Sequence, residues 1–157
     1  MAETTQYIKL TDLAALAEMV LERVHHGANP VGASVIALSG DLGAGKTTFV
    51  QTLARVLQIE EVVTSPTFTV MKQYVVSHQN PYNIERLVHM DAYRLESVAE
   101  VGPLRLAEIF TTPLTLVCIE WAEKIADILP PGTIRLDFKS VSETERLVTI
   151  TSPDGAI

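Results

Sequence analysis

Cysteine is almost absent from this chain. Cys118 stands alone among 157 residues, which excludes an internal disulfide and any multi-cysteine metal site. It lies in an apolar stretch and reads as a buried, reduced thiol. Long hydrophobic runs are also missing. Hydrophobic residues make up 47% of the chain and the mean hydropathy is +0.23, yet no uninterrupted run approaches the roughly 18–20 residues of a membrane span. No basic, apolar leader follows Met1, so the expected address is the cytosol. Positive charge is scarce: 12 Lys and Arg face 19 Asp and Glu, for a net charge of −7, and no Lys/Arg cluster occurs. A chain that binds nucleic acid by itself usually carries a basic face, so direct RNA or DNA binding by this chain alone is not expected, although a partner could supply that surface. Repeats, low-complexity tracts and internal linkers are lacking too, and the length suits one domain, residues 1–157.

What is present centres on Gly40-Asp41-Leu42-Gly43-Ala44-Gly45-Lys46-Thr47-Thr48, which fits the phosphate-binding pattern G-x-x-x-x-G-K-[ST]. The flanks have the required order. Ser34-Val35-Ile36-Ala37-Leu38-Ser39 reads as a buried strand. Phe49, Val50, Leu53, Ala54 and Leu57 have helical spacing. Glycines let backbone N–H groups turn inward around phosphate oxygens, and the helix N-terminus adds partial positive charge. Gly43, Ala44, Gly45, Lys46, Thr47 and Thr48 are therefore candidate nucleotide-binding residues. Lys46 brings a full charge, and the Thr47 hydroxyl is placed to ligate Mg²⁺.

Along the chain, residues 7–10 alternate as a short strand, and Thr11 or Asp12 can cap a following helix. Leu13, Leu16, Ala17, Val20, Leu21 and Val24 form that helix's apolar stripe, with Gly27 as its stop and a turn at Asn29-Pro30-Val31-Gly32. Residues 69–76 are strand-like, and 77–85 form a polar loop. A strand ends near Asp91. Residues 99–110 are partly helical, interrupted at Gly102-Pro103. An apolar strand, residues 114–119, stops at Glu120-Trp121, and residues 122–129 read as a helix ended by Pro130-Pro131-Gly132. Residues 133–139 and 146–151 alternate as a C-terminal antiparallel hairpin. This order predicts a three-layer α/β sandwich of the P-loop NTPase type, with a mixed, centrally parallel sheet. Ligands in such sheets sit at the carboxyl ends of strands, where Lys46, Asp91 and Glu120 all fall.

Two carboxylates compete for the metal. Glu120 follows the more apolar, hence more central, strand and is favoured, with Asp91 orienting the attacking water. Thr67, in Ser65-Pro66-Thr67, resembles a switch threonine able to approach a γ-phosphate. His89 shares a strand face with Asp91 and reads equally as a structural residue. Arg94 could contact phosphate or pair with an acid, and Trp121 could pack the core or mark an interaction surface beside the site. No Asn-Lys-x-Asp element is present, which favours adenine over guanine, so ATP or ADP is the expected nucleotide. No Arg-rich lid and no Leu-Ser-Gly-Gly-Gln signature occur, which weakens a small-molecule phosphotransferase and a transporter ATPase. A nucleotide-sensing module without turnover remains an alternative.

Four motifs then agree in kind and order: the glycine loop, Ser65-Pro66-Thr67-Phe68-Thr69, His89-Met90-Asp91-Ala92-Tyr93-Arg94-Leu95 and Ile119-Glu120-Trp121-Ala122-Glu123. In these the chain resembles the TsaE (YjeE) family of small P-loop ATPases, over roughly residues 5–150. The resemblance implies a role in forming N6-threonylcarbamoyladenosine in tRNAs that read A-starting codons. It implies ATP hydrolysis that is weak alone and stimulated by TsaD and TsaB, which carry the transfer chemistry. It further implies Mg²⁺ held at Thr47 and Glu120, and a nucleotide base flanked by the segments near Thr11 and Ser142. The interruption at Gly102-Pro103 departs from the family's pattern.

Overall fold

The computed structural model describes residues 1–27 and 31–153. Seven strands form one sheet in the order β1-β7-β6-β2-β5-β4-β3. The strands are β1 (Ala2–Lys9), β2 (Ser34–Gly40), β3 (Met71–Val75), β4 (Arg86–Asp91), β5 (Thr115–Glu120), β6 (Ile134–Ser140) and β7 (Glu145–Ser152). The central four, β6-β2-β5-β4, are parallel, while β3, β7 and β1 add antiparallel pairings at the two sides. Helices α1 (Leu13–His26) and α2 (Lys46–Val56) are joined by a short α3 (Leu106–Phe110) and by 3-10 segments at Leu10–Asp12, Val98–Leu104 and Ala122–Ile128.

The parallel centre follows from sequence. All six residues of β5 are buried, and β2 buries Val35, Ile36, Ala37 and Leu38 in succession. A strand covered on both faces needs no polar parity. The two faces feed two cores. One packs Leu16, Val20, Leu21, Phe49 and Leu53 of α1 and α2 against Ile36, Leu38, Leu116, Cys118 and Phe138. The other packs Val35, Ala37, Val88, Met90, Val117 and Ile119 against Leu106, Ala122 and Ile125. The architecture is thus the three-layer sandwich that the pattern predicts, with the hairpin β6–β7 in place. The stripe predicted for α1 is the buried set, Leu13, Leu16, Ala17, Val20, Leu21 and Val24.

Several element bounds differ from expectation for identifiable reasons. β1 starts at Ala2 rather than Tyr7, because it lies along β7 in full antiparallel register from Ala2↔Ser152 to Lys9↔Glu145. β3 starts at Met71 rather than Thr69. Val70 sits at φ +65 and its N–H donates to Pro66 O at 2.6 Å, so the chain turns there instead of extending. Residues 122–128 are 3-10 turns kinked at Ile125, not an α-helix. The segment around Gly102-Pro103 is likewise 3-10, and Arg105 at φ +54 separates it from α3. Asp12 occupies the N-cap of α1 without a side-chain cap; Thr11 Oγ1 instead donates to Asp12 Oδ1 at 3.3 Å. Asn29 and Pro30, in the turn expected before β2, lie outside the described residues.

Candidate active site at the carboxyl ends of the parallel strands

β2, β5 and β4 run side by side in the same direction, so their carboxyl ends lie along one edge. Leu38 is level with Glu120, and Glu120 with Asp91. The loop of residues 40–45 leaves β2 directly over this edge and enters α2 at Lys46. Its turn depends on Gly40, at φ +129. A Cβ there would lie 2.2 Å from the backbone O of Phe138 on β6, so no other residue fits. Gly45, at φ +110, is the N-cap of α2.

These elements enclose a cavity of about 230 Å³. Gly43, Gly45, Lys46, Thr47, Thr48, Thr67, Asp91 and Glu120 all line it, with Tyr93 and Trp121 at the same opening. Four sequence segments named above therefore meet at one place. Ala44 does not line the cavity: it is 1% exposed and faces inward to the protein. Thr11 and Ser142 do not line it either. They belong to neighbouring segments, tied by Leu10 N–H donating to Thr144 O at 2.9 Å.

The hydrogen bonds within the site converge on the two carboxylates. Thr47 Oγ1 lies 2.9 Å from both Glu120 Oε1 and Oε2. His89 Nε2 is 2.7 Å from Glu120 Oε1. His89 is fully buried, and its Nδ1 has no partner among the described residues. The imidazole therefore donates from Nε2 to the acceptor carboxylate. The shared strand face of His89 and Asp91 does carry contact with the site, through Glu120 rather than Asp91. Asp91 is held separately: Oδ2 accepts from Thr67 Oγ1 at 3.0 Å, and Oδ1 from Tyr93 N–H at 2.9 Å. Ser65 Oγ and Thr67 Oγ1 are 2.7 Å apart, which extends that chain to the motif's first residue.

Lys46 Nζ donates to Gly40 O at 2.5 Å and Asp41 O at 2.9 Å, and lies 4.3 Å from the centroid of Trp121. Burial pulls its pKa below the usual lysine value, opposed by the charges of Glu120, Glu123, Asp91 and Asp41. Trp121 follows Glu120 at φ +56, a left-handed conformation that is an outlier for a bulky residue. That twist brings its ring beside Lys46 and 5.1 Å from Tyr93. The Lys124 ammonium donates to the carbonyls of Tyr93 and Leu95, pinning the segment after β4 to the turn after β5. Arg94 stacks on the exposed ring of Phe68 at 4.5 Å, and among the described residues it pairs with no acid. Cys118 is fully buried, and its thiol is held neutral well above the usual range by burial and then by Glu120.

One residue close to the loop escaped the sequence reading. Arg146, in β7, is buried and donates from Nε to Ala44 O at 2.9 Å. The signal was there: Arg146 has the strand parity of Val148 and Ile150, the apolar side of an alternating strand.

The comparisons with known proteins agree with one another. A family model described as "Threonylcarbamoyl adenosine biosynthesis protein TsaE" matches residues 8–148. The tRNA threonylcarbamoyladenosine biosynthesis protein TsaE of Bacillus subtilis (strain 168) is 39% identical over 118 residues, covering 75% of this chain and 69% of the relative. The protein of the same name from Treponema pallidum (strain Nichols) is 36% identical over 118 residues, covering 74% and 81%. Among solved structures, the crystal structure of Bacillus subtilis YdiB superposes with a TM-score of 0.70 at 30% identity, covering 96% of this chain and 86% of that one. With the matched span running from β1 into β7, the chain belongs to the TsaE family.

Proposed function

We propose that this protein is a Mg²⁺-dependent ATPase that serves the formation of N6-threonylcarbamoyladenosine in tRNA by acting on a TsaD–TsaB complex in the cytoplasm. Family membership supports the role in tRNA threonylcarbamoyladenosine biosynthesis. The observation that carries the ATPase reading is the contact of the Thr47 hydroxyl with both Glu120 oxygens, at the mouth of a glycine loop and beside Lys46.

The donor set fits Mg²⁺. A hydroxyl and a carboxylate are hard oxygen ligands, and Mg²⁺ commonly takes one or two carboxylates and completes its shell with water and phosphate. Bound Mg²⁺ would neutralise charge on the β- and γ-phosphates. The chain's own residues do the rest. The N–H groups of Gly43 and of residues 45–48, at the N-terminus of α2, receive the phosphates. Lys46 supplies positive charge. Asp91, held by Thr67 and Tyr93 N–H, orients a water whose oxygen attacks the γ-phosphorus as the bond to ADP breaks. His89 keeps Glu120 in place from beneath.

The test is phosphate release from ATP and Mg²⁺, with and without purified TsaD and TsaB. Slow release alone, accelerated at least about tenfold by the pair, is the expected outcome. Release that ignores the pair would remove the coupling role. Retention of cellular function by Glu120→Gln with no turnover would favour a nucleotide sensor. Phosphate passed to a small acceptor rather than water would make the protein a phosphotransferase.

A further inference from the structure

Arg146 is a buried guanidinium with an unusual set of partners. Nε donates to Ala44 O at 2.9 Å, and Nη1 donates to Ser142 O at 2.7 Å and Glu145 O at 2.9 Å. All three acceptors are neutral backbone carbonyls. Among the described residues no carboxylate lies within ion-pair distance of it. A cation taken out of water with only neutral acceptors is costly, so its retention on the apolar side of β7 asks for a compensating use.

The geometry of the peptide supplies one. In a planar trans peptide the carbonyl of one residue and the N–H of the next point in opposite directions. Arg146 fixes the carbonyl of Ala44 toward the β6–β7 hairpin. The N–H of Gly45 must then point the other way. Ala44 is buried and off the cavity, whereas Gly45 lines it, as this orientation requires. The Gly45 N–H has no acceptor among the described residues. The Ala44 N–H is used up within the loop, donating to Asp41 O at 3.1 Å. Arg146 Nε is also only 3.9 Å from where a Cβ of Gly45 would lie, so a full positive charge stands directly behind the loop.

We propose that Arg146 is a positioning residue for the phosphate loop, holding the Ala44–Gly45 peptide so that its N–H faces the cavity and adding positive potential there for a polyphosphate. Arg146 acts through Ala44 and does not touch the ligand. The inference rests on the nucleotide reading above. It makes a demand that a merely structural arginine would not: the benefit to binding must grow with the number of phosphates and vanish for the bare nucleoside.

The experiment is isothermal titration of the full chain, and of R146K and R146M, with ATP, ADP, AMP and adenosine, alongside melting curves. R146M is expected to weaken ATP and ADP by about tenfold or more while changing adenosine by less than about twofold, with R146K in between. Equal losses for ATP and adenosine, or none for either, would overturn the proposal. If R146M does not fold, the ¹⁵N-labelled wild type and R146K decide the matter. ADP should move the Gly45 amide resonance strongly in the wild type and by a clearly smaller amount in R146K; an identical shift in both refutes the inference. Wild-type protein that binds neither ATP nor ADP would remove the nucleotide reading itself, whereas normal wild-type binding with unaffected variants would remove only the role of Arg146.

Discussion

Glu120 is held by two side chains from different elements: Thr47 at the start of α2 and His89 in β4. It is 3% exposed, so water does not stand in for a lost partner. Glu120→Ala would leave the buried His89 with neither ring nitrogen bonded and the Thr47 hydroxyl without its acceptor. The expected cost is about 1–3 kcal/mol in urea unfolding. Glu120→Gln keeps an acceptor of the same shape and should cost less than about 1 kcal/mol, yet lose most phosphate release. Equal stability losses in both variants would mean that the carboxylate's contacts matter little to the fold. At this scale, the meeting of Lys46, Thr47, Asp91 and Glu120 at one cavity was legible because the glycine-loop pattern and the apolar strands place all four at the same sheet edge. The His89–Glu120 contact was not, because spacing within β4 says nothing about the side chain of β5 beside it. For Arg146 the strand parity marked a buried position, but its partners were not legible, because they are backbone carbonyls, which carry no sequence signature.

The element on which the site depends is the unit of β2, its loop and α2, and its tightest point is Gly40. That residue sits at φ +129 against Phe138 of β6, where a Cβ would approach the Phe138 carbonyl oxygen to 2.2 Å. Gly40→Ala must therefore separate β2 from β6 or distort the loop. We expect a loss of at least about 2 kcal/mol in unfolding free energy, together with weaker ATP binding, read by urea melts and calorimetry. Unchanged stability would mean that the β2–β6 ladder yields at its end without cost. Elements whose burial is uniform or strictly periodic were read correctly, as in β2, β5 and α1. The misreadings lie where long-range pairing or a backbone twist overrides local pattern. The N-terminal half of β1 is polar and half-exposed, and only its pairing with β7 makes it a strand. The turn at Val70 is a left-handed residue type that propensity does not favour. The segment after Trp121 has helical composition but enters from φ +56 and kinks at Ile125, so it winds as 3-10.

Across the whole molecule, charge and site placement point to a division of labour. The chain carries a net charge of −7, with Glu120, Asp91 and Asp41 gathered at the very edge where the glycine loop opens. Lys46 is already engaged by Gly40 O and Asp41 O, and Arg146 is buried behind the loop, so neither is a surface cation offered to a nucleic-acid backbone. Binding to a polyanion by counterion release needs several exposed Lys or Arg on one face. On the proposed function, tRNA is expected to contact the partner proteins rather than this chain. In an electrophoretic mobility shift at physiological salt, the chain alone should leave tRNA unshifted at micromolar protein. A TsaD–TsaB–tRNA complex should bind it in the presence of ATP. Tight binding of tRNA by the chain alone, falling steeply as salt rises, would contradict this division, because it would mean that dispersed Lys and Arg residues form a basic face in a chain of net charge −7.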